Sequence, residues 1–473
     1  MISRRSFASA GGALLVSRAA RADASTLVGT WAGAVSVAGR AQRVRLDVAT
    51  DGGIVFTSVD QGGVRRGGRI ETAPDGAVRI QIQDVGDITG RQTAADRIDA
   101  TFVAPTPGGE NVKIPLVLVR GAPQAPADNV APPSPLTAVG LEALRQGCEA
   151  PALAAVAQRR DGEMKVWATG VRMAGAASRV KPDDQWHLGS IGKSFLATLA
   201  GRLVDLGRLA WDDTLGTVLA SDHPHIPAPY RDATLLHLMS HRSGLLNNLS
   251  LHQMRAFDAS TAPERAQRKV FLASAFALPP VAPLGVRTAY SNIGYVAAAA
   301  MIEARTGRDW EGLMCDEVLR PLGLASAGFG APGRKGALTE PVGHGPFFEQ
   351  PYRPHLPGQP NADLPLVMGP AGRLHMSLTD LAIYLAAHRD RTGFLQPTTW
   401  DILHTPHFDG QYALGWNTWP DGSFSHDGSN LLWYAVATFN PKTGILAAAA
   451  ANDGRTAVWG AVGDAVRQAG AAV

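Results

Sequence analysis

Cysteine is scarce in this 473-residue chain, which contains two, Cys148 and Cys315. Neither has neighbours with the spacing of a metal site or a redox motif, so we interpret both as small apolar residues. A disulfide between them stays possible. His237 and His241 stand four residues apart in a helical pattern, but without a third ligand, and we assign them structural or hydrogen-bonding roles. No metal site is predicted.

Charge of one sign is also lacking over most of the chain. The formal net charge is +3, and the four arginines and one aspartate of residues 1–24 give +3 by themselves, so the remainder is formally neutral. A chain with no net positive charge is not expected to have the basic surface that binds phosphate groups, which excludes nucleic acid and anionic membrane as partners. The chain also has no apolar run of about 18 residues, the length that spans a bilayer, so no stable membrane insertion is expected.

Several motifs of other enzyme classes are missing as well. The sequence has no convincing phosphate-cradling loop and no dinucleotide fingerprint, so no cofactor is predicted. The absence of Gly-x-Ser-x-Gly disfavours the nucleophile turn of α/β-hydrolases. What is present is ordinary globular composition, with 45% hydrophobic residues, in a chain long enough for two or three domains.

The first 24 residues have the composition of a targeting segment. Ser-Arg-Arg-Ser-Phe at 3–7 precedes a modest apolar run, and Ala-Asp-Ala at 22–24 is a small-x-small cleavage site. This resembles a twin-arginine export signal, which is a receptor-read address and not an anchor. We therefore expect a periplasmic or secreted protein whose signal peptide is removed.

Residues 26–121 alternate apolar and polar side chains, which is typical of half-buried strands. Asp-Gly pairs at 51–52 and 75–76 supply turns, because glycine tolerates positive φ. The pattern predicts a small all-β barrel. The segments 27–31, Leu-Val-Gly-Thr-Trp, and 58–62, Ser-Val-Asp-Gln-Gly, resemble the lipocalin-like module attached to some exported hydrolases. Trp31 is expected to plug the barrel core.

A linker and a larger domain follow the barrel. Residues 122–136 are rich in Pro and Ala and predict a semi-rigid spacer. Residues 137–473 open with a short helix and a hairpin, continue with helices, and return to strands from about 412 before a closing helix near 457–471. Strands at both ends around a helical centre predict an α+β domain with one sheet built from the chain's extremities.

The chemistry begins where the first hairpin of this domain meets the helices. Ser190 stands at the start of a helical run, and Lys193 lies three residues later on the same face. A desolvated amine there can take the proton of the serine hydroxyl, and the helix N-terminus favours the developing anion. A second Ser-x-x-Lys, at Ser178, fails on context because Pro182 follows directly and no apolar periodicity continues.

Two later motifs complete a recognisable order. Tyr-Ser-Asn at 290–292 and His-Asp-Gly at 426–428 follow Ser190 and Lys193 along the chain. The set resembles the penicillin-recognising serine hydrolases, which include class C β-lactamases, DD-carboxypeptidases and related esterases. The resemblance covers about residues 140–470 and implies a β-lactamase/transpeptidase-like fold with a helical subdomain. Lys-Thr-Gly at 442–444 also spells the third motif, but it links two apolar runs and is interpreted as a hairpin turn.

The needs of acyl transfer assign the roles. Ser190 is the predicted nucleophile, and Lys193 and Tyr290 share the proton transfer, with the general base left open. A cationic Lys193 or a protonated His426 would lower the pKa of Tyr290. Asn292 is expected to orient Lys193 and the substrate carbonyl, and the backbone amides of Ser190 and Ser429 are expected to form the oxyanion hole. The predicted substrate-binding and oxyanion residues are Asn292, His426, Asp427, Gly428 and Ser429.

These residues predict an exported serine hydrolase that acts on an ester or amide of a small molecule or peptide. Two alternatives stay open: a DD-carboxypeptidase or β-lactamase, and a non-catalytic binding or receptor protein on the same fold. The oligomeric state is not indicated by the sequence. Asp427 disfavours the first alternative, because related enzymes that recognise a carboxylate typically have Thr there, whereas an ionised Asp offers only acceptors.

Overall fold

The computed structural model describes residues 24–37, 40–58, 64–73, 75–82, 86–105, 111–121, 133–347, 350–408, 410, 412–455 and 457–473. All of the predicted signal segment except its last residue, and the predicted linker up to residue 132, lie outside the described residues. The chain divides into two compact units, an N-terminal one and a larger C-terminal one, and each is described by itself.

The N-terminal unit, in which apolar and polar residues alternate, folds into a closed barrel of eight strands. From the second strand to the eighth, each strand pairs antiparallel with the next, and the eighth pairs antiparallel with the first, which also neighbours the second. The strands are β1 (Gly29–Val37), β2 (Arg40–Val48), β3 (Gly53–Ser58), β4 (Val64–Thr72), β5 (Ala77–Ile82), β6 (Gly86–Ala94), β7 (Arg97–Pro105) and β8 (Asn111–Arg120).

Apolar side chains fill the barrel interior. Every second residue of β5 is buried, as the period of a strand requires. Trp31 is 0% exposed, its indole N–H donates to Leu27 O at 2.7 Å, and the Arg120 guanidinium lies 4.5 Å from the ring. Trp31 is thus part of the core. The resemblance of this unit to lipocalin-like modules stays a prediction.

The C-terminal unit is built on a six-stranded antiparallel sheet of order β10-β9-β19-β18-β17-β16. The unit's strands are β9 (Ala152–Arg159), β10 (Lys165–Gly170), β11 (Gln185–His187), β12 (Gly328–Phe329), β13 (Gly343–Phe347), β14 (Gln350–His355), β15 (Leu374–Ser377), β16 (Asn417–Thr418), β17 (Phe424–Ser429), β18 (Tyr434–Asn440) and β19 (Ile445–Ala451). Because β9 pairs with β19, the two ends of the domain meet in one sheet, as predicted.

Helices cover the sheet and form the centre of the domain. They are α1 (Ala138–Gly147), α2 (Gly192–Asp205), α3 (Leu215–Val218), α4 (Ala228–Arg231), α5 (Leu235–Met239), α6 (Leu251–Asp258), α7 (Glu264–Phe276), α8 (Asn292–Thr306), α9 (Trp310–Met314), α10 (Gly369–Gly372), α11 (Leu378–Asp390), α12 (Pro397–His404) and α13 (Ala457–Ala471). In the described part of the chain, no helix has both the length and the apolarity to span a bilayer.

Small residues bring the helices close to both faces of the sheet. The central strands β9 and β19 are rich in alanine. One face packs against α11, and the other packs against α1 and α13. Residues 442–444 form the turn between β18 and β19, with Lys442 and Thr443 exposed, so this Lys-Thr-Gly is a hairpin turn as expected. The α+β fold class is confirmed.

Candidate active site

The segment that follows β11 turns sharply before α2 begins. Residues Gly189–Ile191 form a single 3-10 turn, with Gly189 at φ +49°, a conformation that favours glycine. Ser190 is half-buried there, and Lys193 in the first turn of α2 is 0% exposed. Lys193 Nζ lies 2.9 Å from Ser190 Oγ and donates to Ala371 O at 2.7 Å. The predicted nucleophile and amine are therefore in direct contact.

Tyr290 reaches the same hydroxyl from the segment that precedes α8. Its phenol lies within hydrogen-bonding reach of Ser190, and Lys193 Nζ lies 5.0 Å from the centre of its ring. Tyr290 as a whole residue is 38% exposed, although protein surrounds its hydroxyl, and Lys193 is fully buried. The tyrosine therefore separates the amine from the accessible side of the site.

The expected oxyanion amides lie next to each other where the 188–190 turn meets β17. A Cβ added to Gly189 would stand 2.4 Å from Ser429 N, and one added to Gly428 would stand 2.5 Å from Ser190 N. Real Cβ atoms do not approach so closely, so both positions require glycine. This contact places the backbone of Ser190 next to the backbone of Ser429, as an oxyanion hole built from these two amides would require.

His426 is buried beside this contact, and its hydrogen bonds define its tautomer. Nε2 accepts from the Tyr412 hydroxyl at 3.0 Å, and Nδ1 donates to Asp427 O at 2.5 Å. Burial, with a smaller contribution from Lys193, lowers the pKa of His426 to about 3. The imidazole is thus neutral at physiological pH.

Burial also sets the charges of the groups around Ser190. It lowers the pKa of Lys193 well below 10.5, which favours the neutral amine, and it raises the pKa of Tyr290, which stays a protonated phenol. The expected lowering of the Tyr290 pKa by a cationic neighbour is wrong for this structure. The physical reason is that desolvation outweighs it, and His426 carries no charge.

Asn292 does not occupy the place that the sequence predicted. It is the first residue of α8, and its amide nitrogen donates to Asn248 Oδ1 at 2.9 Å and Asn247 Oδ1 at 3.1 Å. These contacts turn the side chain toward the loop before α6 instead of toward Lys193. No hydrogen bond joins Asn292 to Lys193, whose amine contacts Ser190 Oγ and Ala371 O instead. The expected contact of Asn292 with the substrate carbonyl stays a prediction.

Asp427 and Ser429 are the remaining predicted residues. Asp427 is exposed to solvent, and desolvation by the surrounding protein raises the pKa of its carboxyl. The Tyr434 hydroxyl is its side-chain hydrogen-bond partner, and no ion pair to it is formed among the described residues. Ser429 Oγ donates to Trp433 O at 2.8 Å, so this hydroxyl is engaged in the turn after β17.

Sequence reasoning missed an aromatic wall around the site. The His241 ring lies 4.2 Å from the ring of Tyr290 and 4.5 Å from that of Tyr412, and its Nδ1 accepts from Ser291 N at 3.1 Å. Tyr295 lies 5.5 Å from Lys193 Nζ. His241 was assigned a structural role, and it does fix Ser291, but its place against Tyr290 shows only after folding. Tyr412 had no motif of its own.

A comparison with models of protein families assigns most of the C-terminal unit to a family. The Beta-lactamase family model matches residues 141–471. The chain belongs to the beta-lactamase family. Its members are serine hydrolases, and the resemblance inferred from Ser190, Lys193 and the two later motifs is thereby confirmed at the level of the family.

Relatives of this beta-lactamase-family protein include both penicillin-binding proteins and a hydrolase. It is 26% identical over 334 residues to penicillin-binding protein 4 of Amycolatopsis lactamdurans, covering 66% of this chain and 84% of that relative. It is also 26% identical over 309 residues to Unguisins hydrolase ungD' of Aspergillus campestris, covering 58% of this chain and 55% of the relative.

Solved structures agree on the fold of the beta-lactamase-family domain. SurE with D-Leu matches with a TM-score of 0.56 and 25% identity over 70% of this chain and 74% of that one. The D-amino acid amidase of Ochrobactrum anthropi matches with a TM-score of 0.55 and 18% identity over 70% of this chain and 97% of that one. The latter likeness concerns the fold alone.

The contact between the 188–190 turn and β17 predicts the effect of a single methyl group. In Gly428→Ala the new Cβ would stand 2.1 Å from Leu188 O, so the strand must move away from the turn. We expect the reaction of Ser190 with a fluorophosphonate, followed by intact mass, to slow about 100-fold or more. The control is Gly460→Ala in α13, where a Cβ meets open space; it should react normally and gain up to about 1 kcal/mol of stability. Normal reactivity of folded Gly428→Ala would contradict the prediction.

The lowered pKa of Lys193 predicts how Ser190 reactivity depends on pH. The neutral amine accepts a proton, so the rate should rise with pH and level off, with a midpoint well below the ordinary 10.5 of lysine. The measurement is the fluorophosphonate rate between about pH 5 and pH 10. His426→Asn should leave the midpoint in place, since His426 with a pKa of about 3 is neutral throughout. A midpoint that shifts or vanishes in that variant would assign the titration to the histidine.

Proposed function

We propose that the protein is an exported serine hydrolase that cleaves an ester or an amide through a covalent acyl-enzyme on Ser190. The observation that carries the proposal is the 2.9 Å contact between Ser190 Oγ and the buried Lys193 amine, next to the paired amides of Ser190 and Ser429. Export rests on the composition of residues 1–24. The membership of the beta-lactamase family supports hydrolysis.

In the acylation step, Ser190 Oγ attacks the substrate carbonyl carbon while Lys193 Nζ accepts the hydroxyl proton. Lys193 is favoured as the base because burial favours its neutral form, whereas the raised pKa of Tyr290 keeps the phenol protonated. The two amides stabilise the oxyanion of the tetrahedral intermediate.

Collapse of this intermediate breaks the bond to the alcohol or amine. The leaving group takes a proton from the Tyr290 phenol, which regains one from protonated Lys193. Water then attacks the acyl-enzyme carbonyl while Lys193 Nζ again accepts a proton. When the bond to Ser190 Oγ breaks, Lys193 returns that proton to Oγ, and the serine hydroxyl, the neutral amine and the acid product are restored. No cofactor is needed in this sequence of steps.

The specificity of the site follows from Asp427. The carboxylate lines the accessible side of β17 beyond His426, and its described surroundings supply the Tyr434 hydroxyl but no ion-paired cation. An ionised Asp427 would repel a substrate carboxylate: at about 4 Å and an effective dielectric near 20, like charges cost about 4 kcal/mol before screening. We therefore favour esters and amides without a carboxylate beside the scissile bond.

A peptidoglycan or β-lactam substrate is the second candidate. It is favoured by the similarity to penicillin-binding protein 4 of Amycolatopsis lactamdurans, and Asp427 opposes it. A purely binding role on the same fold is the third. A binding protein does not need the buried Lys193 amine beside the Ser190 hydroxyl. Burial of this amine lowers the stability of the folded protein, and proton transfer gives the arrangement a purpose.

Covalent labelling tests the acyl-enzyme. We expect a serine-directed fluorophosphonate to add once, at Ser190, and Ser190→Ala to abolish both the mass shift and ester hydrolysis. Ser178→Ala is the matched control, because Ser178 heads the other Ser-x-x-Lys. Labelling that persists in Ser190→Ala, or turnover at the wild-type rate in that variant, would refute the assignment.

A second test separates the substrate classes. The wild-type protein should hydrolyse a short-chain p-nitrophenyl ester better than a chromogenic cephalosporin or a D-Ala-D-Ala peptide. Asp427→Thr should raise cephalosporin turnover by about tenfold or more with little change on the ester, since it removes the repulsion. Glu163→Gln, which removes an exposed charge from the turn between β9 and β10, controls for net charge. Efficient wild-type turnover of a carboxylate substrate with weak ester hydrolysis would favour the second candidate instead.

A further inference from the structure

Three buried polar side chains connect the 188–190 turn to the end of β17 through hydrogen bonds that do not involve Ser190 Oγ, Lys193 or Tyr290. His187 Nδ1 accepts from Gly189 N at 3.1 Å, and its Nε2 lies 3.1 Å from Asp363 Oδ2. Asp363 Oδ1 accepts from Asn430 Nδ2 at 2.8 Å. The exposed fractions of His187, Asp363 and Asn430 are 0%, 7% and 1%. Gly189 precedes Ser190, and Asn430 follows Ser429, so each end lies one residue from an oxyanion amide.

The hydrogen bonds fix the protonation of His187. Because the Gly189 amide donates to Nδ1, this nitrogen carries no proton, and Nε2 carries the one that is donated to Asp363. Burial opposes the charge on Asp363, but the Arg373 guanidinium and the hydrogen bonds from His187 and Asn430 lower the pKa of this carboxyl, so the carboxylate is ionised and accepts from both sides. The three groups thus have a single pattern of donors and acceptors.

At the far end the chain closes on itself. Asn430 Oδ1 accepts from the backbone amides of Leu432 and Trp433, both at 3.1 Å. The Trp433 ring then stacks on the imidazole of His187, with ring centres 5.3 Å apart. The route from Gly189 through Asp363 to Asn430 and back through Trp433 is therefore a closed circuit of buried contacts.

The glycine contact by itself does not set the direction of the amides. Close approach of Gly189 and Gly428 limits how near the two backbones can come, whereas hydrogen bonds at Gly189 and after Ser429 restrict rotation of the adjoining peptide planes. An oxyanion donor must point at its target, and a misplacement of about 1 Å can cost 100-fold in rate.

We infer that His187, Asp363 and Asn430 are positioning residues that hold the Ser190 and Ser429 amides in the orientation that stabilises the oxyanion. None of the three touches the serine hydroxyl. The inference rests on the proposed acyl-transfer function, since an oxyanion hole has a purpose only in that reaction.

The test uses the full-length protein and a fluorophosphonate, whose phosphoryl oxygen takes the position of the oxyanion. Saturation kinetics by intact mass give a maximal labelling rate and a half-saturating concentration. We expect Asp363→Asn and His187→Gln to lower the maximal rate about 10- to 100-fold, with the half-saturating concentration within about threefold. His187→Asn should lose less than His187→Gln, because its amide oxygen can replace Nδ1 as acceptor for Gly189.

The matched control is another buried carboxylate. Glu303 in α8 is 1% exposed and binds Arg268 at 2.7 and 3.0 Å, away from the oxyanion hole. Glu303→Gln should lower the unfolding temperature but leave the maximal labelling rate unchanged. An equal fall in that rate would mean that loss of any buried carboxylate explains the effect, and would overturn the inference.

The outcomes separate the two proposals. Failure of the wild-type protein to label at Ser190 refutes the proposed function, and the inference falls with it. If the wild type labels but folded Asp363→Asn and His187→Gln react at the wild-type rate, only the positioning role is overturned. Should Asp363→Asn fail to fold, the order of the two His187 variants decides: equal rates in both contradict the role of the Gly189 hydrogen bond.

Discussion

The close contact between the 188–190 turn and β17 is the constraint on which the site depends. Neither backbone can carry a Cβ at this point, because atoms of the other already lie within 2.6 Å of it at both Gly189 and Gly428. The contact brings together a nucleophile near one end of the domain and a strand near the other. The pairing of β9 with β19 makes this possible, since it joins the chain's extremities in one sheet.

Desolvation then decides what each group at this contact can do. The same burial that favours a neutral amine at Lys193 keeps Tyr290 protonated and His426 uncharged. The proposed reaction would therefore start without an ion pair between Lys193 and Tyr290, and the proton would move only when Ser190 attacks. Asp427 is the exception, because solvent reaches this residue.

Buried polar networks behind the site serve a different purpose from the apolar core. In the apolar core, α11 packs on one face of the sheet and α1 and α13 pack on the other. Because side chains in the core are close-packed, this packing fixes the distances between the helices and the sheet. Hydrogen bonds such as those of His187 and Asn430 add direction, which apolar contacts lack. A site that relies on two aligned amides needs both.

The fold class, the all-β barrel within residues 26–121, the helix of residues 457–471 and the order of the motifs could be predicted from the sequence, because these depend on local periodicity and on spacing along the chain. The sequence also separated the Lys442 turn from the His426 strand by their neighbours. The tertiary structure decided what depends on burial and on distant contacts: the pKa directions of Lys193 and Tyr290, and the turning of Asn292 toward Asn247 and Asn248. The His187–Asp363 hydrogen bond joins residues 176 positions apart, and no local pattern marks it, since such a bond exists only once the turn and the loop pack together.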